Sequence, residues 1–366
     1  MNRFGHIILM SVTMGWLSSC SGSGEEMPPA PSTQEKLPIS WQVHPQKTVE
    51  SKALIGNNEA LQTACTPNTG GKSIGVWGTY EIKQDGQTYT HVEFDATPLT
   101  FATKTDDPTN PHNNWNYPGE NKYWEPGGKY TFRACFPQDV MQEQMTEINA
   151  DIIQGPLNTA TLQEDLMVAT TYVNTLTDDL SKPVPLDLIH IFSALQFKVK
   201  AADGYTPPAN EGITACWLQN QSNDKDLFTT SGYLVFSGSL GAVTLQWTEY
   251  DASSAPMYHW VYTNNLSFAN EAMLYCQNAD DAIGNEYTKH NGWILVIPQE
   301  VKENTLHFCY TLKNAGDKVF TVPLPAITYQ HGKQYTYVLV LSGASAEVTL
   351  TVKDWNKLDS SYDINL

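Results

Sequence analysis

From Ile39 onward the chain is a succession of short runs rich in β-branched and aromatic residues, each closed by Gly, Pro, Asn or Asp. ISWQVH at 39, IGVWGTYEIK at 74, TYTHVEF at 88, KYTFRACF at 129 and LMVATTYV at 166 come first. LDLIHIFSALQFKVKA at 186, WILVIP at 293, YTYVLVLS at 335 and AEVTLTVKDW at 346 are prominent among those that follow. Side chains of these types pack well on a pleated surface, so the runs read as strands. A spacing of about ten residues without strand–helix alternation favours packed sandwiches over a parallel sheet. QDG at 84–86, between two runs, signals a hairpin. One stretch, Asp139–Ala150, reads as a helix, with Asp139 at a capping position and Met141, Met145 and Ile148 near helical spacing. The fold class is therefore all-β with minor helix. At roughly 150 residues per domain, the 366 residues suggest two tandem β-sandwich domains. Ser181-Lys182-Pro183-Val184-Pro185 marks the junction, giving domains at 39–182 and 183–366.

The N-terminus carries a different signal. Met1–Arg3 is a short basic start, Ile7–Trp16 an apolar run, and Leu17-Ser18-Ser19-Cys20 closes it, the layout of a cleaved export signal over residues 1–19. The last four residues resemble a bacterial lipobox, which implies acylation of Cys20 and, with Ser21 next, an outer-membrane destination. Residues 20–38, mostly Ser, Gly, Pro and Glu, read as a flexible linker. No later stretch approaches the ~18 apolar residues of a membrane span. The 21 basic residues face 39 acidic ones, a formal charge of −18 that argues against nucleic acid as a partner.

Residues with chemical potential are scattered. Gly71-Lys72-Ser73 has the ending of a P-loop, but Thr66 stands where that loop needs its first Gly. Neither HExxH nor GxSxG occurs, and no His, Asp or Glu set has metal-ligand spacing, so no metal, cofactor or catalytic residue is expected. His190, within the apolar LIHIF, reads as a core histidine. Asp106, Asp107, Asn110, Asn113 and Asn114 offer oxygens to Ca²⁺ or serve as ordinary turn residues. Besides Cys20 there are Cys65, Cys135, Cys216, Cys276 and Cys309, an odd set without CxxC spacing. They read as small buried hydrophobes, with one disulfide also compatible with export. The densest aromatic segment is NNWNYPGENKYWEPGGKYTFRACFP at 113–137. Trp115, Tyr117, Tyr123 and Trp124 either form a platform for sugar rings or cover the end of a sandwich core.

The lipobox, the Pro-rich linker, IGVWGTY, the WNYPGENKYWEP block with KYTFRACFP, VPLDLIHIFSALQFKVK, ILVIPQE, ITYQHGKQYTYVLVL and a closing VTLTVKDW, in that order, resemble the fimbrillin family of Bacteroidales. That resemblance implies two transthyretin-like β-sandwich domains, secretion as an outer-membrane lipoprotein, assembly into fimbriae or related surface structures, and no enzymatic activity. Its implied partners are other fimbrillin subunits, the outer membrane through the lipid, and host or bacterial surface ligands or glycans. It also implies strand complementation: a protease removes the first strand and a neighbouring subunit fills the groove. Here that strand is Ile39–His44, with Ile39, Trp41 and Val43 alternating as one buried face. Family processing sites contain Arg, yet the arginines here are Arg3 and Arg133 alone. Either a cut follows Lys47 or Lys52, or the strand stays and the chain acts as an anchor, accessory or tip-associated lipoprotein. The rival function is that of a glycan-binding surface lipoprotein using the four aromatic rings.

Overall fold

The computed structural model describes residues 36–45, 55, 57–102, 115–221, 228–239, 242–248, 257–274, 292–342, 345–355 and 361–364. The first half runs β1 (Trp41–Pro45), α1 (Asn58–Ala64), β2 (Ile74–Gln84), β3 (Gln87–Phe101), β4 (Trp115–Asn116), β5 (Lys129–Phe136), α2 (Gln138–Gln144), β6 (Glu147–Ile148), β7 (Ile152–Asn158), β8 (Met167–Asn174) and β9 (Val184–His190). One sheet takes the order β1-β9-β8-β5-β2-β3-β4. All its neighbours pair antiparallel except β1 and β9, which run parallel. The β2–β3 hairpin turns on Asp85 (φ 51°) and Gly86 (φ 81°), left-handed conformations that Asp tolerates and Gly adopts freely.

The second half contains β10 (Ser193–Ala201), β11 (Ile213–Asn220), β12 (Ser231–Ser239), β13 (Ala242–Thr248), β14 (Met257–Leu266), β15 (Ala272–Met273), β16 (Trp293–Val296), β17 (Glu300–Val301), β18 (Leu306–Leu312), β19 (Val319–Pro323), β20 (Ile327–Thr328), β21 (Lys333–Ser342), β22 (Ser345–Asp354) and β23 (Ser361–Ile364). A sheet ordered β15-β10-β21-β22-β23, with β16 also on β10, faces a second sheet ordered β14-β11-β18-β19. Leu195, Phe197, Tyr337 and Leu339 from the one meet Leu218, Phe308 and Tyr310 from the other in a closed core. The Tyr-rich block at 329–337 contributes hydroxyls as well as rings. Tyr329 and Tyr337 bond to each other at 2.7 Å, and Tyr335 accepts from the Gln330 N–H, so the buried phenols are satisfied. Burial pushes the Tyr335 phenol up to about 12.

The halves are joined through a third layer. β12 returns to pair with β7, with β13 on its other edge, in a sheet ordered β13-β12-β7-β6. Ile153, Leu157, Leu234 and Phe236 of that layer pack with Trp77, Cys135 and Val168 of the first sheet. The first sheet also takes in β9, which lies beyond the 182/183 junction read from the sequence. Side-chain amides stitch the layers where strands do not pair. Gln163 bonds both the N–H and the C=O of Leu295, Gln299 does so for Thr229, and Asn220 for Phe228. Gln299 is the Gln of the IPQ strand end, so that motif has a packing reason.

One local expectation is corrected, and one element is added. The helix expected over 139–150 ends at Gln144: Met145 is extended (φ −82°, ψ 141°), and Glu147–Ile148 pair with β7 instead. Gly155 approaches Met145 and Thr146 so closely that a Cβ would come within 2.8 Å of their backbone, so the absence of one lets the turn close. A short helix not read from the sequence, α1, is capped by Asn57, whose Oδ1 accepts from the Ala60 N–H at 2.8 Å.

His307 on β18 is 7% exposed, and burial lowers its imidazole below the usual 6.5 against an opposing hydrogen bond with the Thr305 backbone. A base whose folded pKa is depressed favours the unfolded chain on protonation. Its stabilising neutral state is intact above about 6.5 and is lost as pH falls through that value. Thermal midpoints should therefore drop between pH 7.5 and 5.5, and His307→Gln should flatten part of that slope.

Candidate functional site

The most distinctive feature of the first sheet is the way the N-terminal segment closes it. At one end of the segment, the Ile39 N–H donates to the Lys122 carbonyl at 2.8 Å and the Trp124 N–H donates to the Leu37 carbonyl at 3.1 Å. Farther along, the Val184 N–H donates to the Ser40 carbonyl at 2.7 Å, and Trp41 to Pro45 pair in parallel with Val184 to Leu188. Residues 37–45 thus bridge the 122–124 segment and the edge of β9.

Strand periodicity then turns alternate side chains inward. Ile39, Trp41 and Val43 are at most 3% exposed, and Val184, Leu186 and Leu188 opposite them are equally buried. The Trp41 indole stands edge-on to Phe94 and Phe132, each 5.1 Å between ring centroids. Its Nε1 has no hydrogen-bond partner, so shape and apolar contact hold it rather than polarity. Asn58 at the start of α1 bonds His44 at 3.2 Å, the polar face of the same strand. Lifting this segment out would bare Phe94, Phe132, Leu186 and Leu188, together with a row of backbone donors and acceptors on β9. Such an edge is a template for strand addition.

The remaining sequence candidates have definite places. Trp115 and Trp124 are 6% and 5% exposed, packed edge-on against Phe101 and Tyr130, and Tyr117 stands edge-on to Phe94. Tyr123 is the exposed member, at 42%. The four rings therefore line no common surface: strand pairing at β4 and at the Pro38–Tyr123 bridge turns three of them into the core. Cys20, Lys47, Lys52, Cys276 and the acidic-amide loop of Asp106, Asp107, Asn110, Asn113 and Asn114 lie outside the described residues.

Cys65, Cys135, Cys216 and Cys309 are buried, and burial drives Cys65 up to about 12 and Cys135 higher still. Lys72 and Ser73 of the P-loop-like triplet are spent on structure, Lys72 with Glu164 at 2.9 Å and Ser73 with Gln138 at 2.9 Å. His190 bonds Asp165 at 2.7 Å and stacks 3.9 Å from Trp355, as a core histidine. Asp165 also accepts from the Ile55 N–H, fixing the chain just before α1. Among the described residues no three His, Cys, Asp or Glu side chains are placed to hold a metal, and no helix is long and apolar enough to cross a membrane. Sequence reading named the strand but not what lines the groove beneath it. Phe94, Phe132 and the backbone of Lys122–Trp124 carry no local pattern that separates groove from core.

The frame is thus an all-β one whose first sheet is closed along one edge by a buried N-terminal strand, and the comparisons give its kin. A family model described as fimbrillin-like matches residues 62–355. The chain belongs to the fimbrillin-like family, a family of structural rather than enzymatic proteins with a role in fimbriae and adhesion. Among solved structures it is similar to a fimbrial protein from Bacteroides vulgatus, at 13% identity and a TM-score of 0.54, covering 87% of this chain and 99% of that one. The C-terminally truncated tip fimbrial protein Mfa3 from Porphyromonas gingivalis is similar at 11% identity and a TM-score of 0.36, covering 77% and 94%. No curated protein matches it in sequence.

Proposed function

We propose that the chain is a surface subunit of fimbriae, anchored to the outer membrane through Cys20, whose N-terminal strand is the exchangeable element of assembly. The observation that carries this is the closing segment 37–45, which is buried on one face yet held by one parallel strand pairing and two flanking hydrogen bonds. An extended segment of a neighbouring fimbrial subunit would satisfy the same backbone groups and fill the pocket of Trp41.

Removal of the strand requires a cut between β1 and α1, where Lys47 and Lys52 stand and no arginine does. Arg133, the one arginine beyond the leader, is fully buried, with its Nη2 donating to the Gly238 carbonyl at 2.8 Å and its guanidinium over the Phe236 ring. An Arg-specific protease should therefore leave the native chain intact and cut after Arg133 only once it is unfolded, a result read from intact mass. The deciding experiment is the N-terminus and mass of the protein from outer membranes and from sheared surface material. A start at Thr48 or Ala53 without lipid supports a polymerising subunit. An acylated Cys20 in every fraction makes the chain an anchor or accessory that keeps its strand, and ends the strand-removal reading.

A further inference from the structure

The register of the first sheet defines a pole. Glu81 of β2 is opposite Lys129 of β5, Lys129 is opposite Asn174 of β8, and β9 and β1 start beside each other at Val184 and Trp41. At this same end lie the β2–β3 hairpin tip, the 119–128 turn, the 174–182 turn and the first residues of the closing segment. The Thr175 N–H donates to the Gly128 carbonyl, its hydroxyl to the Glu125 carbonyl, and Trp124 bonds Leu37, so the turns are in contact. The opposite end of the sheet leads through Phe136 and His190 toward the joining layer.

Large apolar side chains exposed among the described residues concentrate at this pole. Leu37 (44%), Tyr89 (45%), Val92 (69%), Tyr123 (42%) and Leu176 (75%) all lie at or near it, and Val243 and Val319 lie elsewhere. Single exposed hydrophobes are ordinary, but a grouping at one end of a chain this acidic marks a contact face. Lys83, Lys122, Lys129 and Lys182 are exposed around it, interspersed with Glu81, Asp85, Glu120, Asp178 and Asp179. The pole thus carries mixed charge on a molecule whose formal charge is −18. Tyr, Lys and aliphatic side chains together are the composition that suits a lipid–water interface.

The chain itself says what faces this end. Leu37, where the described fold begins, lies at the pole, and a chain from Cys20 to Leu37 can reach at most about 60 Å. We infer that the pole is a membrane-docking face, seating Leu37, Tyr89, Val92, Tyr123 and Leu176 against the lipid surface to which the chain is tethered. This rests on the reading of Cys20 as the anchor. Docking adds shallow apolar insertion to the tether and fixes the body upright, with the joining layer and second sandwich directed outward.

The test separates docking from acylation. A chain of residues 21–366, which retains the whole described fold, is given an N-terminal hexahistidine and held on nickel-chelating lipid in phosphatidylethanolamine/phosphatidylglycerol vesicles. Amide hydrogen exchange over 87–92 and 174–178 is compared with that of the same chain free in solution. Docking predicts slowing of about fivefold or more in both segments, lost in the Val92→Asp/Leu176→Asp double variant although it remains tethered. Equal exchange on vesicles and in solution overturns the proposal. Slowing that appears without vesicles as protein concentration rises also overturns it, and assigns the pole to a second copy. Intact mass of the native protein tests the acyl group independently.

Discussion

Trp41→Ala is expected to lower the stability of the chain by about 3–5 kcal/mol, the cost of emptying a large aromatic site that cannot collapse. Trp41 is fully buried, and the Phe94 and Phe132 rings around it are held by β3 and β5, so little can move into the vacancy. Urea titration gives the loss directly, with Gln42→Ala on the exposed face of the same strand as a control expected within about 0.5 kcal/mol of the parent. Trp41→Phe should cost less than about 1.5 kcal/mol, because it keeps much of the ring while removing an indole N–H that has no partner. A small effect of the alanine variant would mean that the closing strand contributes little to the subunit, and that filling its place is no driving force for assembly.

The second large effect belongs to Gln163. Its Oε1 accepts from the Leu295 N–H at 2.8 Å, while Nε2 donates to the carbonyls of Leu295 and Thr159, all at 1% exposure. Gln163→Glu turns a donor toward two carbonyl oxygens into a carboxylate, and should cost roughly 3 kcal/mol or more at pH 7. The penalty has a signature. A buried carboxyl in such surroundings has a folded pKa raised above its unfolded value near 4.3, so the folded form takes up the proton first. The deficit is then largest at neutral pH and shrinks as pH falls through the raised pKa toward about 4.3. Gln163→Met, which orphans the Leu295 backbone without adding a charge, should be destabilised with no such pH dependence. Denaturant midpoints of the three proteins at pH 7 and pH 5 separate these terms.

Where a residue's neighbours in sequence decide its conformation, the sequence was enough. Asp85-Gly86 announces its own turn, and Ile39, Trp41 and Val43 announce their common face by alternation alone. Periodicity failed at Met141, Met145 and Ile148, since a short helix followed by a strand places the same side chains inward as one longer helix does. β7 was hidden by Gly155-Pro156, which reads as a breaker. It is tolerated because β6 pairs only with Ile153 and Gln154, leaving one side of the strand open at the proline.

Long-range pairings were the least legible. The return of β12 to β7 and the paired hydrogen bonds of Gln163 and Gln299 join residues far apart in the chain, and an amide in the sequence does not reveal which backbone it will meet. The aromatic block shows the same limit. Trp115, Tyr117 and Trp124 have the composition of a sugar platform, but the topology that turns them inward is set by β4 and by the closing segment.

The parallel alignment of β1 with β9 bears on how the chain responds to force. β1 begins at the pole and runs inward beside β9, so a pull on its N-terminal end directed away from the body acts along the strand axis. The hydrogen bonds from Ser40 to Leu188 are then strained together in shear rather than peeled one at a time, and the Trp41 ring must be dragged past Phe94 and Phe132 before the strand can slip. A strand seated this way resists an axial load far better than the same bonds would if they were broken one after another.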